Sequence, residues 1–215
     1  MARVLTVTVN PALDLTVQLP ALRLGEVNRS DNLQAHAAGK GLNVAQVLAD
    51  LGHQLTVTGF LGEANAQPFE QLFAARGFAD EFVRVAGETR SNIKLAEADG
   101  RITDINGPGL EVGAAQRDEL LARLERLVPG HELVVVAGSL PRGVEVPWFV
   151  EMLQRTEAPP AEDDYLVYNY NRFQACRFGL DGLVVHPKSY EQISLREDVL
   201  RTLRRLQPQA EKLDS

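Results

Sequence analysis

The sequence predicts an α/β fold: a mostly parallel sheet built from strand–helix repeats, with a small β flap attached. Three observations carry this. From residue 4 to residue 76 the apolar residues switch between strand-like alternation and helical spacing, strand then helix then strand then helix. Right-handed crossovers turn that rhythm into parallel neighbours. Residues 133–137, L-V-V-V-A, form an almost unbroken apolar run, as a strand buried on both faces requires. Two short runs at 92–97 and 101–106 meet at Ala98-Asp99-Gly100, a hairpin signal that stands apart from the rhythm.

Taken in order, residues 4–9 alternate apolar side chains with threonine and stop at Asn10-Pro11, which predicts a strand ended by a turn. Asp14 follows at the strand's exit edge, where a carboxylate either holds sugar hydroxyls or sits solvated in a turn. Residues 13–19 and 32–36 read as short strands joined by a polar, glycine-containing connection, and so as part of a flap. The run H-A-A-G-K-G-L-N at 36–43 places Lys40 between Gly39 and Gly41. From there Leu42, Val44, Ala45, Val47, Leu48 and Leu51 recur with helical spacing, and Gly52 marks the stop. A glycine-rich loop opening into a helix favours anions, because the backbone can approach closely and the first N–H groups are free. The same residues equally serve a plain tight turn before a core helix, since the spacing does not match the P-loop pattern.

Residues 55–60 are strand-like, and 67–76 place Phe69, Leu72 and Phe73 on one helical face before Gly77. Residues 82–85 predict a further strand. Arg90 and Lys94 lie near the start of the hairpin, two cations suited alike to a substrate phosphate or to a solvated strand face. Leu120, Leu121, Leu124 and Leu127 among charges make 114–127 an amphipathic helix that ends near Pro129-Gly130. The strand at 133–137 exits into G-S-L-P-R-G at 138–143. Open α/β sheets bind ligands beyond the carboxyl ends of their strands, so Asp14, Gly39 and Ser139 are expected to converge on one crevice.

The 215 residues make one large domain or two small ones, and 45% hydrophobic residues supply a core. A net charge of -7 argues against general binding to nucleic acid or anionic membranes. The one cysteine, Cys176, cannot form an internal disulfide, the N-terminal run lacks a signal-peptide core, and no stretch approaches 18 apolar residues. A reducing, cytoplasmic location is expected.

Taken together, N-P-A-L-D at 10–14, A-A-G-K-G-L-N at 37–43, T-R-S-N-I-K at 89–94 and V-A-G-S-L-P-R-G at 136–143 resemble the ribokinase-like (PfkB) carbohydrate kinases. The likeness runs from the start of the chain to Arg155. It implies part of a three-layer α/β/α domain over residues 1–155, closed by a small β-sheet lid at 13–36 and 88–107 and often paired lid to lid in a homodimer. Carried over, it implies that Asp14 binds sugar hydroxyls and that Gly39, Lys40 and Asn43 line the sugar crevice. Arg90 would grip the existing phosphate with Lys94 beside it, and Ser139 would lie at the floor. Arg29, on the first flap, is a secondary candidate for phosphate or nucleotide contact. The reaction implied moves the γ-phosphoryl of ATP, with Mg²⁺, onto the C6 hydroxyl of fructose 1-phosphate to give fructose 1,6-bisphosphate. The family's base is an aspartate in a late G-A-G-D motif. That motif is absent here, and G-L-D-G at 179–182 has the wrong order, which leaves Asp181 a poor substitute. The ATP-binding half of the family's domain has no counterpart in this sequence.

Residues 156–164, T-E-A-P-P-A-E-D-D, read as a Pro-rich acidic linker, and 165–215 as a short separate α/β tail. Its last helix is opened by a Ser194/Glu197 capping box and striped by Leu195, Val199, Leu203 and Leu206. N-R-F-Q-A-C-R-F-G-L-D-G at 171–182, with L-R-E-D-V-L at 195–200, resembles the C-terminal end of the carboxylate-amine ligases related to type 2 glutamate–cysteine ligase. That likeness would make Asn171, Arg172 and Arg177 the matching polar residues, whereas the residues alone read the two arginines as a solvated helix surface. His186 has no second histidine or cysteine at metal-ligand spacing, and Cys176 reads as a buried thiol. Three functions stand open: a sugar-phosphate kinase in truncated or fused form, a non-catalytic sugar-phosphate-binding protein that dimerises through its lid, and a ligase. A sheet that stopped at 133–137 would expose a long apolar edge, so 165–168 or 183–185 is expected to add a strand there.

Overall fold

The computed structural model describes residues 1–156, 165–169, 174–176 and 184–185. Most of the linker, Asn171, Arg172, Arg177, Asp181, His186 and the 194–206 helix lie outside the described residues.

Alternating burial builds the sheet. In β1 (Arg3–Thr8) Val4 packs to one side while Leu5 and Val7 pack to the other. The L-V-V-V-A run, β9 (Leu133–Ala137), does the same, with Leu133 and Val135 on the first side and Val134 and Val136 on the second. Every residue of this strand is buried, as a strand covered on both faces must be. On the first side lie α1 (Lys40–Asp50), through Leu42, Ala45 and Leu48, and α2 (Gln67–Arg76), through Phe69 and Phe73. On the second lie α3 (Ala114–Leu127), through Leu120, Leu121 and Leu124, and α4 (Val146–Arg155), through Phe149, Met152 and Leu153. The layers are therefore helix, sheet, helix.

β1 is central. It pairs in parallel with β4 (Gln54–Gly62) on one side and with β9 on the other. Two short strands, β5 (Ala79–Asp80) and β6 (Val83–Val85), extend the β4 side in parallel. Beyond β9 the sheet continues: β10 (Tyr165–Asn169) pairs in parallel with it, Tyr165 opposite Val134 and Tyr168 opposite Ala137. β11 (Gln174–Cys176) and β12 (Val184–Val185) follow antiparallel. The apolar edge expected at β9 is thus paired. The order of connection reverses at the parallel β1–β9 pair, because β1 leads to β4 on one side while β9 lies on the other; this is the switch point at which α/β sheets open a crevice.

The flap is a separate four-stranded sheet in the order β3-β2-β7-β8. It consists of β2 (Ala12–Leu19), β3 (Asn32–Ala38), β7 (Ser91–Glu97) and β8 (Ile102–Asn106), the last two joined by the expected turn. β2 and β7 run parallel although each belongs to a different excursion of the chain. A buried Glu97 carboxylate ties them down, accepting a hydrogen bond of 2.8 Å from the Leu22 amide in the connection to β3.

Candidate functional site

Where β1 ends, α1 begins. A Cβ at Gly39 would lie 2.8 Å from the Thr8 methyl, and one at Gly41 would lie 2.3 Å from the Thr8 hydroxyl and 3.0 Å from the Val7 carbonyl. Only glycines let the helix start against the strand end. Gly39 has φ 151 and gives α1 no side-chain cap, so the first-turn N–H groups keep their dipolar pull on an anion. The first helical bond runs from the Asn43 amide to the Gly39 carbonyl, 2.8 Å. Asn43 itself is exposed one turn into the helix.

The β1–β9 junction is closed by Asn10, a residue only 7% exposed. Its Nδ2 donates to the Ser139 hydroxyl at 3.0 Å and to the Leu140 carbonyl at 3.2 Å. Arg90 meets the same turn from the lid side: Nη2 donates to the Asn10 carbonyl and Nε to the Pro11 carbonyl, each at 3.3 Å. In return the Leu13 amide donates to the Arg90 carbonyl at 2.8 Å. Thr89, buried at the root of β7, is held by Asn65, whose side chain donates to its carbonyl at 2.9 Å and accepts from its amide at 2.8 Å. Arg90 is therefore seated between two fixed neighbours.

Asp14 is half-buried on β2, with Oδ1 accepting from Asn92 Nδ2 at 3.0 Å. Strand pairing sets His36 and Asn92 opposite Asp14 and puts Thr16, Gln34, Lys94 and Asp104 on the same polar face further along. Lys94 is exposed there. Four extended residues, up to about 13 Å, separate it from Arg90. Arg29 is exposed on the connection between β2 and β3.

Electrostatics join the remaining groups. Burial lowers the Arg90 guanidinium below its ordinary value, and the Asp14 carboxylate opposes this. Burial, and then the charge of Arg90, pushes the Lys40 ammonium down to about 8. Arg90 thus couples to both Asp14 and Lys40, with Gly39 and Ser139 flanking the same β1 exit. Asn43, Lys94 and Arg29 are exposed. Two cations and a helix start suit a phosphate, and a carboxylate with an amide neighbour suits hydroxyls. Asn10, Thr89 and Asn92 lie inside the motifs N-P-A-L-D and T-R-S-N-I-K without a site role assigned from the sequence, and Asn65 lies outside every motif. Asn92 also shares a strand face with Lys94 by the two-residue repeat.

A family profile described as "pfkB family carbohydrate kinase" matches residues 8–168. A 1-phosphofructokinase of Vibrio cholerae is 50% identical over 142 residues, 66% of this chain and 45% of that protein. Among solved structures, a Thermotoga maritima protein described as a possible 1-phosphofructokinase superposes with TM-score 0.65 at 32% identity, covering 72% of this chain and 50% of that one. The tetrameric inhibited form of Escherichia coli phosphofructokinase-2 superposes with TM-score 0.63 at 26% identity, covering 73% and 51%. The chain spans about half the length of the curated relatives it matches, 45% of the first.

Proposed function

The chain belongs to the pfkB family of carbohydrate kinases, and on that premise we propose that its cleft receives fructose 1-phosphate for the 1-phosphofructokinase reaction. The observation that carries this is Arg90, held on the Asn10 and Pro11 carbonyls at the carboxyl end of β1 and coupled to both Asp14 and Lys40. Arg90 and Lys40, with the α1 amides, hold the phosphate already on the sugar. Asp14 takes sugar hydroxyls, Gly39 and Asn43 line the opening, Ser139 forms the floor, and Lys94 and Arg29 add charge at the rim. ATP is the phosphoryl donor of the family. The G-A-G-D aspartate that would take the C6 proton is absent from the sequence. The residues named above serve the sugar-phosphate side of the reaction.

Calorimetric titration with fructose 1-phosphate, alone and with ATP, tests the reading. Saturable binding of the sugar phosphate without ADP release is the expected result; no heat with fructose 1-phosphate removes the reading. ADP release would show that the chain also completes the transfer. The tail motifs support a second reading, a carboxylate-amine ligase fragment, which falls if glutamate plus an amine draws no ATP consumption.

The pH dependence follows from Lys40. Its ammonium pairs with phosphate below about 8 and is lost above it. The monoester's own second ionisation, near 6, sets the acid limit, so affinity should peak between about 6 and 8 and fall about tenfold by about pH 9.5. Stability moves the other way. Because the folded-state value lies below 10.5, the unfolded chain holds more protons between about 8 and 10.5, and folding gains as pH rises there. Weaker binding at high pH in a chain that melts no earlier is the expected pair of results. A Lys40→Met variant should lose the alkaline fall.

The lid supports a homodimer. Strand pairing gathers Leu13, Leu15, Leu33, Ile93 and Ile105 on the face opposite Asp14, and Leu33 and Ile105 remain 61% and 52% exposed. A second copy would cover them. Leu33→Asp should yield a monomer in sedimentation velocity where the parent chain sediments as a dimer. Among the described residues no helix is long and apolar enough to cross a membrane, and the net charge of -7 argues against general nucleic-acid binding.

A further inference from the structure

We propose that Asn92 is a positioning and specificity-determining residue that reads sugar hydroxyls jointly with Asp14; this rests on the sugar-phosphate reading above. Three facts meet at this amide. β2 and β7 pair Asp14 directly opposite Asn92. Asn92 Nδ2 donates to Asp14 Oδ1 at 3.0 Å. Asn92 Oδ1 is buried and has no hydrogen-bond partner among the described residues.

The first two facts fix the carboxylate. An aspartate on a small lid has two rotatable bonds, and a donor from the next strand holds it in one orientation with Oδ2 left to accept. The third fact points to a ligand. A buried carbonyl oxygen without a donor is costly, and native proteins leave few of them. A hydroxyl arriving beside Asp14 supplies the missing donor. Side chains opposite each other on adjacent strands have Cβ atoms about 5 Å apart, so the two acceptors can serve neighbouring hydroxyls of one sugar. A neutral amide does both tasks, donating to a carboxylate while accepting from a hydroxyl. An acid at this position would repel Asp14, and an apolar residue would leave it loose.

The consequence is a division of labour. Arg90 and Lys40 bind the phosphate of any monoester, while the Asp14–Asn92 pair adds affinity only when hydroxyls are present. Sites built to hydrogen-bond a hydroxyl discriminate strongly against ligands that lack it. The test is calorimetric titration of the parent chain, Asn92→Asp and Asn92→Leu with fructose 1-phosphate and with propyl phosphate, which has the phosphate and no hydroxyls. Thermal unfolding of each variant is recorded alongside. Both variants should bind fructose 1-phosphate at least about tenfold more weakly, with propyl phosphate affinity unchanged within threefold in the uncharged Asn92→Leu. Asn92→Asp keeps the side chain's shape, so it reports on hydrogen bonding even if Asn92→Leu folds poorly. Undiminished fructose 1-phosphate binding by Asn92→Asp overturns the assignment, as does an equal loss for both ligands in Asn92→Leu, which would mark Asn92 as purely structural. A parent chain that binds propyl phosphate as tightly as fructose 1-phosphate overturns it too, and a parent that binds neither sinks the sugar-phosphate reading itself.

Discussion

Replacing Gly59 by alanine is expected to leave little folded protein. Gly59 pairs with Thr8 in the parallel register of β1 and β4, at the centre of the sheet. Its φ is 139, and a Cβ there would lie 1.9 Å from the Thr8 carbonyl oxygen and 2.5 Å from the Thr8 carbonyl carbon. Those are backbone atoms of a buried strand, with no flexible side-chain end to swing aside. Relief requires β1 and β4 to move apart, which breaks ladder bonds and opens the packing of Val7 and Phe60, both fully buried. Backbone strain and overpacking together should cost at least about 4 kcal/mol, against a total stability of about 5–15 kcal/mol for a typical domain. Gly77→Ala is the control. Gly77 caps α2 with φ 67, but a Cβ there meets nothing within 4 Å. Its cost should stay near about 1 kcal/mol. Urea midpoints followed by far-ultraviolet circular dichroism separate the two, and a Gly59→Ala midpoint close to that of Gly77→Ala would show that the register of β1 against β4 is wrong.

The sheet's core elements were legible because each carries its own local signal. Leu42, Ala45 and Leu48 announce α1, Leu120, Leu121 and Leu124 announce α3, and L-V-V-V-A announces a doubly covered strand. Helix α4 carries such a signal too, since Phe149, Met152 and Leu153 keep helical spacing and all three are buried. Pro147 obscures it: a proline reads as a breaker until it is seen to stand in the first turn, where its missing N–H costs nothing. β5 has only Ala79 and Asp80, both exposed, and no two-residue strand can show a period. The site divides in the same way. Glycines around Lys40 and the cations on the hairpin are visible in the sequence. The bond from Asn10 to Ser139 spans 129 positions, and that between Asn92 and Asp14 spans 78. Separations of that size are set by strand order, which no local spacing encodes. The 165–168 strand was deduced differently, from the cost of leaving β9 unpaired, and its register opposite Val134 to Ala137 meets that cost.

An Arg90→Met chain should bind fructose 1-phosphate about a hundredfold more weakly than the parent. Arg90 brings a half-buried guanidinium to the β1 exit, with Nε on the Pro11 carbonyl and Nη2 on the Asn10 carbonyl. Those two bonds consume only part of a five-donor fork and fix its plane. The donors left over can meet a phosphate with little loss of side-chain freedom, and charge-assisted bonds in a half-buried setting are among the strong ones. A hundredfold corresponds to about 2.7 kcal/mol. Arg90→Lys should fall between methionine and the parent, because it keeps the charge but cannot hold two carbonyls and a phosphate in one plane. Methionine also strands the Asn10 and Pro11 carbonyls, so a stability loss of about 1–2 kcal/mol should accompany the affinity loss. The order parent, lysine, methionine in affinity is therefore the diagnostic, together with a weakening of the parent's binding as salt is raised. If Arg90→Met bound fructose 1-phosphate within threefold of the parent, Arg90 would be a structural brace for the β1 turn alone. The phosphate would then have to rest on Lys40 and the α1 amides, whose hold should fade at alkaline pH where Arg90 would have kept it.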